Sequence, residues 1–171
     1  METLGNVTFQ GNPLTLIGPI LNVGDKAPAF QLLANNLSVV PLSDSRGKIR
    51  LVSVAPSLDT PVCDMQTRTF NEALDALGDG VVGYTVSADL PFAQARWCGA
   101  AGVTNMKTLS DHRDMAFGNA YGTHIKELRL ESRAVFVMDG DDTIQYVEYV
   151  KEITQHPDYD AALAAVRRLV G

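Results

Sequence analysis

The chain has 171 residues, of which 46% are hydrophobic and 20% are charged, and its formal net charge is −6. This length and composition are typical of one soluble globular domain with a substantial core, and the negative charge argues against non-specific binding to nucleic acid or to anionic membranes. No apolar run approaches the ~18 residues of a membrane helix, and residues 1–6 lack the basic and apolar regions of a signal peptide, so we expect a cytoplasmic protein.

The first quarter of the chain predicts short strands separated by turns. Residues 7–10 and 14–17 flank Gly11-Asn12-Pro13, a pattern that favours a β-hairpin. Glycines and prolines between residues 18 and 28 then predict an irregular crossing into the main domain. Two further short strands are predicted over residues 30–33 and 37–42.

The best-marked feature is a strand followed directly by a helix. Residues 49–54 are mostly apolar and include β-branched side chains, which predicts a buried strand. Between residues 62 and 77 the apolar positions follow a helical spacing. Thr60 is a favoured N-cap residue and Pro61 suits the first helical position. The sequence therefore places Cys63 in the first turn of a helix.

This position has a chemical consequence for a thiol. Free backbone N–H groups and the helix dipole stabilise an anion in the first turn. Cysteines at helix N-termini have pKa values of roughly 3.5 to 7.5 instead of about 8.5, and the thiolate is the form that attacks electrophiles. The alternative is that Cys63 is a small buried hydrophobic residue. The helix start alone leaves both interpretations open.

The second half of the chain predicts alternating strands and helices, ending in a helix. The predicted elements are a strand over residues 81–86, a short helix over 90–99, a helix over 110–118, a loop over 121–130, strands over 134–138 and 143–150, and a last helix that opens at residues 157–158. The acidic residues 139–142 lack the spacing of a calcium loop, so we interpret them as a hairpin turn. Together the elements predict an α/β sandwich with a mixed sheet.

The second cysteine, Cys98, forms no Cys-x-x-Cys pair with Cys63, and neither zinc-finger spacing nor a histidine ligand pattern is present. A permanent disulfide is not expected in a reducing compartment. Two interpretations remain open at this point: two independent buried thiols, or a pair that closes only during a catalytic cycle.

A longer pattern surrounds the first cysteine. The residues Pro56-Ser57-Leu58-Asp59-Thr60-Pro61-Val62-Cys63 match the Pro-x-x-x-Thr-x-x-Cys signature of the peroxiredoxins. Residues 87–99 resemble the segment that carries the resolving cysteine in the bacterial thiol peroxidase branch, whose members use two cysteines within one subunit. Shorter likenesses to that branch occur at residues 8–13, 109–110, 121–122, 132–135, 152–154 and 157–159. The resemblance therefore covers nearly the whole chain in the expected order.

The resemblance implies a fold and an activity. The fold would be an α/β, thioredoxin-like domain over residues 1–171, with a mixed central β-sheet flanked by helices and an N-terminal β-hairpin extension over residues 1–20. The activity would be reduction of hydrogen peroxide and alkyl hydroperoxides by a peroxidatic Cys63, which becomes a sulfenic acid. Cys98 would resolve it as a Cys63–Cys98 disulfide, and thioredoxin would reduce that disulfide. The family further implies a homodimer and no metal or haem.

The resemblance also assigns the remaining site residues. Arg133 would supply a permanent charge and forked donors, and the Thr60 hydroxyl with the amides of Val62 and Cys63 would stabilise the departing oxygen. Pro56 would shield the sulfur. Without the motif, Thr60 is interpreted as a helix cap and Arg133 as a residue at the rim of a strand.

Two further expectations concern the cysteine neighbourhoods. Asp59 and Asp64 disfavour a nearby thiolate, so they must point outward or be outweighed by Arg133. A disulfide needs Cα atoms within about 4.4 to 6.8 Å, which cysteines on two separate helices do not provide. We therefore predict that the first turn of the helix unwinds on oxidation, and that Trp97 reports the change.

Three competing functions follow from the same residues. In a single-cysteine peroxidase, Cys98 would serve only in packing. In a redox-sensing or chaperone-like binding protein, the same thiols would act through a partner without turnover. In a structural domain, both thiols would be inert.

Overall fold

The computed structural model describes residues 1–171, which form two β-sheets and four α-helices. The strands are β1 (Glu2–Phe9), β2 (Asn12–Ile17), β3 (Gln31–Leu33), β4 (Val39–Pro41), β5 (Ile49–Val54), β6 (Val81–Ser87), β7 (Met106–Ser110), β8 (His124–Ile125), β9 (Leu130–Glu131), β10 (Ala134–Met138) and β11 (Ile144–Tyr149). The helices are α1 (Pro61–Leu74), α2 (Pro91–Ala101), α3 (Ala116–Tyr121) and α4 (Tyr159–Val170), with a 3-10 turn at Leu42–Ser45.

The larger sheet has seven strands in the order β11-β10-β5-β6-β7-β3-β4. Strands β5, β6 and β7 are parallel, and β10 runs antiparallel to β5. Parallel neighbours need long crossovers, which α1 and α2 supply. The predicted mixed sheet flanked by helices is therefore present.

Strand β10 shows why this sheet is central. All five of its residues are buried, because both of its faces are covered. Phe136 points into a core shared with α3, whereas Val135 and Val137 point into a second core formed with α1 and α4. A continuous apolar run of this kind is expected for a strand covered on both sides.

The smaller sheet has four strands in the order β1-β2-β8-β9 and contains the predicted N-terminal hairpin. Its core consists of Val7, Leu14, Leu16, Ile125 and Ile153. The hairpin is therefore packed against later parts of the chain.

The predicted helix over residues 110–118 is wrong. Residues 106–110 form β7, and α3 begins only at Ala116. The Ser110 hydroxyl, which we expected to cap a helix, donates to the Asp89 carbonyl. The carboxylate of the next residue, Asp111, accepts the N–H groups of Phe117 and Gly118. It therefore provides hydrogen-bond acceptors for the first turn of α3, although it lies outside that helix.

One smaller difference concerns the segment before β10. The predicted loop over residues 121–130 contains the two short strands β8 and β9. No helix of the chain is both long enough and apolar enough to cross a membrane.

Candidate active site

The sheet topology brings Cys63 and Arg133 together, although they lie seventy positions apart in the sequence. Val54, the last residue of β5, pairs with Ala134, the first residue of β10. The chain leaves β5 toward α1 at the same edge where Arg133 precedes β10. Cys63 in the first turn of α1 and Arg133 therefore meet at one end of the central sheet.

The guanidinium of Arg133 is held against the sulfur by neutral acceptors. Its Nη1 lies 3.3 Å from the Cys63 Sγ and donates to the Gln66 Oε1 at 2.8 Å. Its Nε and Nη2 both donate to the carbonyl of Ile153, at 2.9 and 2.7 Å. Arg133 is only 2% exposed and forms no salt bridge. Its positive charge is therefore available to an anion at the sulfur position.

The helix start differs in one respect from the prediction. Thr60 occupies the N-cap position and Pro61 follows it, as expected, but the Thr60 side chain makes no capping bond. Its hydroxyl donates to the Ser57 carbonyl at 3.1 Å instead. The expectation that this side chain caps α1 is therefore wrong. The N–H groups of Val62 and Cys63 have no acceptor within the chain, so both remain free to donate to a group placed beside the sulfur.

The sulfur is enclosed in this conformation. Cys63 is fully buried, and Pro56 in the preceding loop is buried as well. Neither residue lines any of the main surface cavities. Thr60 and Val62 are half-buried and Pro61 is exposed, so only the first turn of α1 separates the sulfur from solvent.

A carboxylate that the sequence analysis missed holds the loop before α1. Asp89 accepts the Ser57 hydroxyl at 2.7 Å and the Leu58 N–H at 2.8 Å. It also accepts the Ser87 hydroxyl at 2.8 Å. Asp89 lies just before α2, so it connects the segment leading to Cys63 with the segment leading to the second cysteine.

The second cysteine, Cys98, is half-buried on α2 and does not contact Cys63. Its Sγ lies 3.3 Å from the hydroxyl of Thr108 on β7, and both residues line an open cleft with Asn35 and Lys107. Both cysteines are free thiols with different partners.

The residues next to the two cysteines do contact one another. Asp64 accepts the indole N–H of Trp97 at 2.9 Å and the Nε of Arg68 at 2.9 Å. The guanidinium of Arg68 also lies over the Trp97 ring, with its carbon 5.6 Å from the ring centroid. Asp64 is therefore half-buried and paired with Arg68, and Asp59 is exposed, so of the two expected alternatives the outward-pointing carboxylate describes Asp59. The cluster of Asp64, Arg68 and Trp97, which we call the α1–α2 latch, joins the two cysteine helices.

Sequence analysis also missed three groups near the sulfur: Gln66, the Ile153 carbonyl and Tyr159. Gln66 had only its helical position as a signal, whereas Ile153 and Tyr159 lie in the family-like segments 152–154 and 157–159, which did not indicate their contacts. Burial raises the pKa of Tyr159, while the charge of Arg133 acts in the opposite direction. The chain has no cluster of three or more histidine, cysteine or carboxylate side chains that could hold a metal ion.

Comparisons with known proteins identify the family of the chain. A family model described as Redoxin matches residues 22–163. The chain is 60% identical over 164 residues to a thiol peroxidase from Halalkalibacterium halodurans, covering 96% of this chain and 98% of that protein. It is 54% identical over 167 residues to a thiol peroxidase from Bacillus subtilis, covering 98% and 99%. A crystal structure of a peroxiredoxin-like protein from Aquifex aeolicus matches with a TM-score of 0.89 at 37% identity, covering 97% of this chain and 98% of that one.

The chain therefore belongs to the Redoxin family, and its fold is the thioredoxin-like fold that the sequence predicted. Within that family its relatives place it among the bacterial thiol peroxidases, which confirms the resemblance. A peroxidase function in general follows from that membership.

Proposed function

We propose that the chain reduces hydrogen peroxide and organic hydroperoxides with Cys63 as the peroxidatic residue. The observation that carries this proposal is the contact of 3.3 Å between the Arg133 Nη1 and the buried Cys63 sulfur. The guanidinium has no carboxylate partner, so a thiolate is the anion best placed to balance it.

The first step is attack of the Cys63 thiolate on one oxygen of the hydroperoxide. A sulfur–oxygen bond forms, the O–O bond breaks, and its electron pair goes to the other oxygen, which takes up a proton and leaves as water or an alcohol. The sulfur is oxidised by two electrons to a sulfenic acid. Arg133 and the free amides of Val62 and Cys63 stabilise the negative charge on the leaving oxygen.

Thr60 and Pro56 have supporting roles in this proposal. The Thr60 hydroxyl donates to a carbonyl in the present conformation, so it turns toward the peroxide when the first turn of α1 opens. Pro56, which is buried beside the helix start, keeps water from the sulfur.

In the second step Cys98 attacks the Cys63 sulfur, the S–O bond breaks, and hydroxide leaves as water after protonation. The result is an intramolecular Cys63–Cys98 disulfide. Because the two thiols have separate partners, the α1–α2 latch must release before the sulfurs meet. Trp97, next to Cys98, reports this release.

The cycle closes when an external dithiol returns two electrons and two protons. We propose thioredoxin as that reductant, in the cytoplasm, with the chain acting as a homodimer and without metal or haem. The open cleft beside Cys98 supports access of a reductant from that side.

Steady-state consumption of hydrogen peroxide and cumene hydroperoxide with a thioredoxin system tests the proposal. The wild-type chain should turn over many equivalents per subunit, and Cys63→Ser should consume none. Cys98→Ser should react once and then stop in the thioredoxin assay. Full turnover by Cys98→Ser would favour a single-cysteine peroxidase, and consumption limited to one equivalent by the wild type would favour a redox sensor.

A further inference from the structure

The peroxidase mechanism leaves the N-terminal hairpin (β1 and β2) without a role. The hairpin contacts the chain segment at residues 151–154, which carries the carbonyl group that holds Arg133. The Thr8 N–H donates to the Lys151 carbonyl at 2.7 Å, and the Ile153 N–H donates to the Thr8 carbonyl at 3.0 Å. One face of this segment therefore binds the hairpin, while the other face binds the guanidinium.

Ile153 is the residue at which the two sets of contacts meet. Its N–H is bound to the hairpin, and its carbonyl accepts two N–H groups of Arg133. Its side chain is 5% exposed and packs with Val7 and Leu14 of the hairpin. A displacement of the hairpin would therefore move the acceptor that aims Arg133 at the sulfur.

Glu152 connects the two parts most directly. Its Oε1 accepts the Thr8 hydroxyl at 2.9 Å and the Gly11 N–H in the hairpin turn at 3.0 Å. Its Oε2 accepts the N–H and the hydroxyl of Thr154, at 3.1 and 2.8 Å. The carboxylate thus has four neutral donors and no cationic partner, and it fixes the residues on both sides of Ile153.

We propose that the N-terminal hairpin keeps Arg133 in position beside Cys63. Glu152 is the positioning residue that connects the hairpin to the segment whose carbonyl binds Arg133. The inference rests on the proposed peroxidase function. The hairpin and Glu152 set the rate at which Cys63 reacts with peroxide, although neither touches the sulfur or the substrate.

The matched control is Glu127, a second carboxylate that is hydrogen-bonded to the same hairpin. Its two oxygens accept the Thr15 N–H at 3.1 and 2.9 Å, on β2, the strand of the hairpin that makes no hydrogen bond to residues 151–154. Glu127→Ala therefore loosens the hairpin without touching the segment that holds Arg133. Glu152 is half-buried and Glu127 is exposed, but both variants remove one carboxylate that anchors the hairpin, and the free energy of unfolding of each variant measures the general loss of stability.

The experiment measures the second-order rate constant for sulfenic acid formation on the full chain by stopped-flow, for the wild type, Glu152→Ala and Glu127→Ala. Glu152→Ala should react about tenfold more slowly, since loss of a hydrogen-bonded anchor beside a charged group is worth roughly this factor. Glu127→Ala should remain within about twofold of the wild type. Equal rates for the two variants would overturn the proposal.

A double-mutant cycle that combines Glu152→Ala with Arg133→Met distinguishes positioning of the guanidinium from a merely structural effect. Once the guanidinium is gone, adding Glu152→Ala should change the peroxide rate less than about twofold. A tenfold loss in both backgrounds would overturn the proposal. If Glu152→Ala does not fold, Thr8→Val replaces it in the same cycle, with an expected loss of about threefold. A wild-type chain that does not react with peroxide would instead count against the proposed function itself.

Discussion

Gln66 offers a sharp test of how the site is organised. The side chain is fully buried, and its Oε1 accepts the Arg133 Nη1 at 2.8 Å, while its Nε2 donates to the Ser53 hydroxyl at 2.6 Å. Gln66 therefore links the guanidinium to β5 and fixes its distance from the sulfur. Its Nε2 also donates to the Val54 carbonyl at 3.3 Å, and the substitution Gln66→Met keeps the length of the side chain and removes all three polar contacts.

The magnitude follows from the geometry. Two unit charges separated by the 3.3 Å between the Arg133 Nη1 and the Cys63 Sγ interact by about 5 kcal/mol at an effective dielectric constant of ~20. If the guanidinium loses its acceptor on Gln66 and drifts by ~1 Å, this interaction weakens by about 1.2 kcal/mol. The same drift takes the guanidinium away from the leaving oxygen, where negative charge develops in the transition state, and a loss of this size there should slow the reaction with peroxide by roughly five- to tenfold.

The assay is the stopped-flow rate constant for peroxide, measured with the free energy of unfolding of each variant. Asn71→Ala is the control, because Asn71 lies on the same helix and its Oδ1 accepts two N–H groups, from Asn105 and Met106, far from Arg133. It should lower stability by a comparable amount without slowing the reaction. Equal slowing by both variants, or an unchanged rate in Gln66→Met, would refute the reasoning.

Three further predictions concern groups around the site. Asp64→Ala should speed disulfide formation about fivefold in a Trp97 fluorescence assay, because it opens the half-exposed α1–α2 latch; an unchanged rate would contradict this role. Asp89→Ala should slow the reaction with peroxide severalfold. Asp89→Asn still offers an oxygen to the loop before α1, so it should retain most of the wild-type rate. A larger loss of rate in the Asn variant than in the Ala variant would contradict the geometry. Burial, together with the neighbouring Asp111, raises the pKa of Glu131 well above its usual value, so its contribution to stability is complete below about pH 4.5 and is lost as the pH rises through the folded-state pKa. Denaturant unfolding of Glu131→Gln across this range should show a stability relative to the wild type that increases with pH, and a constant difference would contradict the assignment.

The local signals in the sequence were sufficient for the position of the first cysteine. Thr60 and Pro61 mark the start of α1 because N-cap position and proline geometry depend on a few neighbouring residues. The same local reasoning failed where distant partners decide. Serine is a favoured residue at helix N-caps, but Ser110 lies in β7, which pairs with β6, and its hydroxyl donates to the Asp89 carbonyl.

The proximity of Arg133 to Cys63 was accessible only through the resemblance to the family. No spacing rule relates these two residues, and their contact depends on the antiparallel register of β10 with β5. Gln66 and Glu152 were missed for a related reason. The partners that relate them to the site, Arg133 for Gln66 and Thr8 for Glu152, lie more than sixty residues away along the chain, so the flanking sequence does not indicate these contacts. The catalytic roles of the site residues stay predictions.

The most direct test of the whole account is the rate of peroxide reaction in a Cys98→Ser protein, compared between Arg133 and Arg133→Met. This background isolates the first step, because the sulfenic acid on Cys63 cannot proceed to the disulfide. The account predicts at least about a hundredfold slower formation of the sulfenic acid when the guanidinium is removed. A folded Arg133→Met variant that reacts within about threefold of its parent would contradict it.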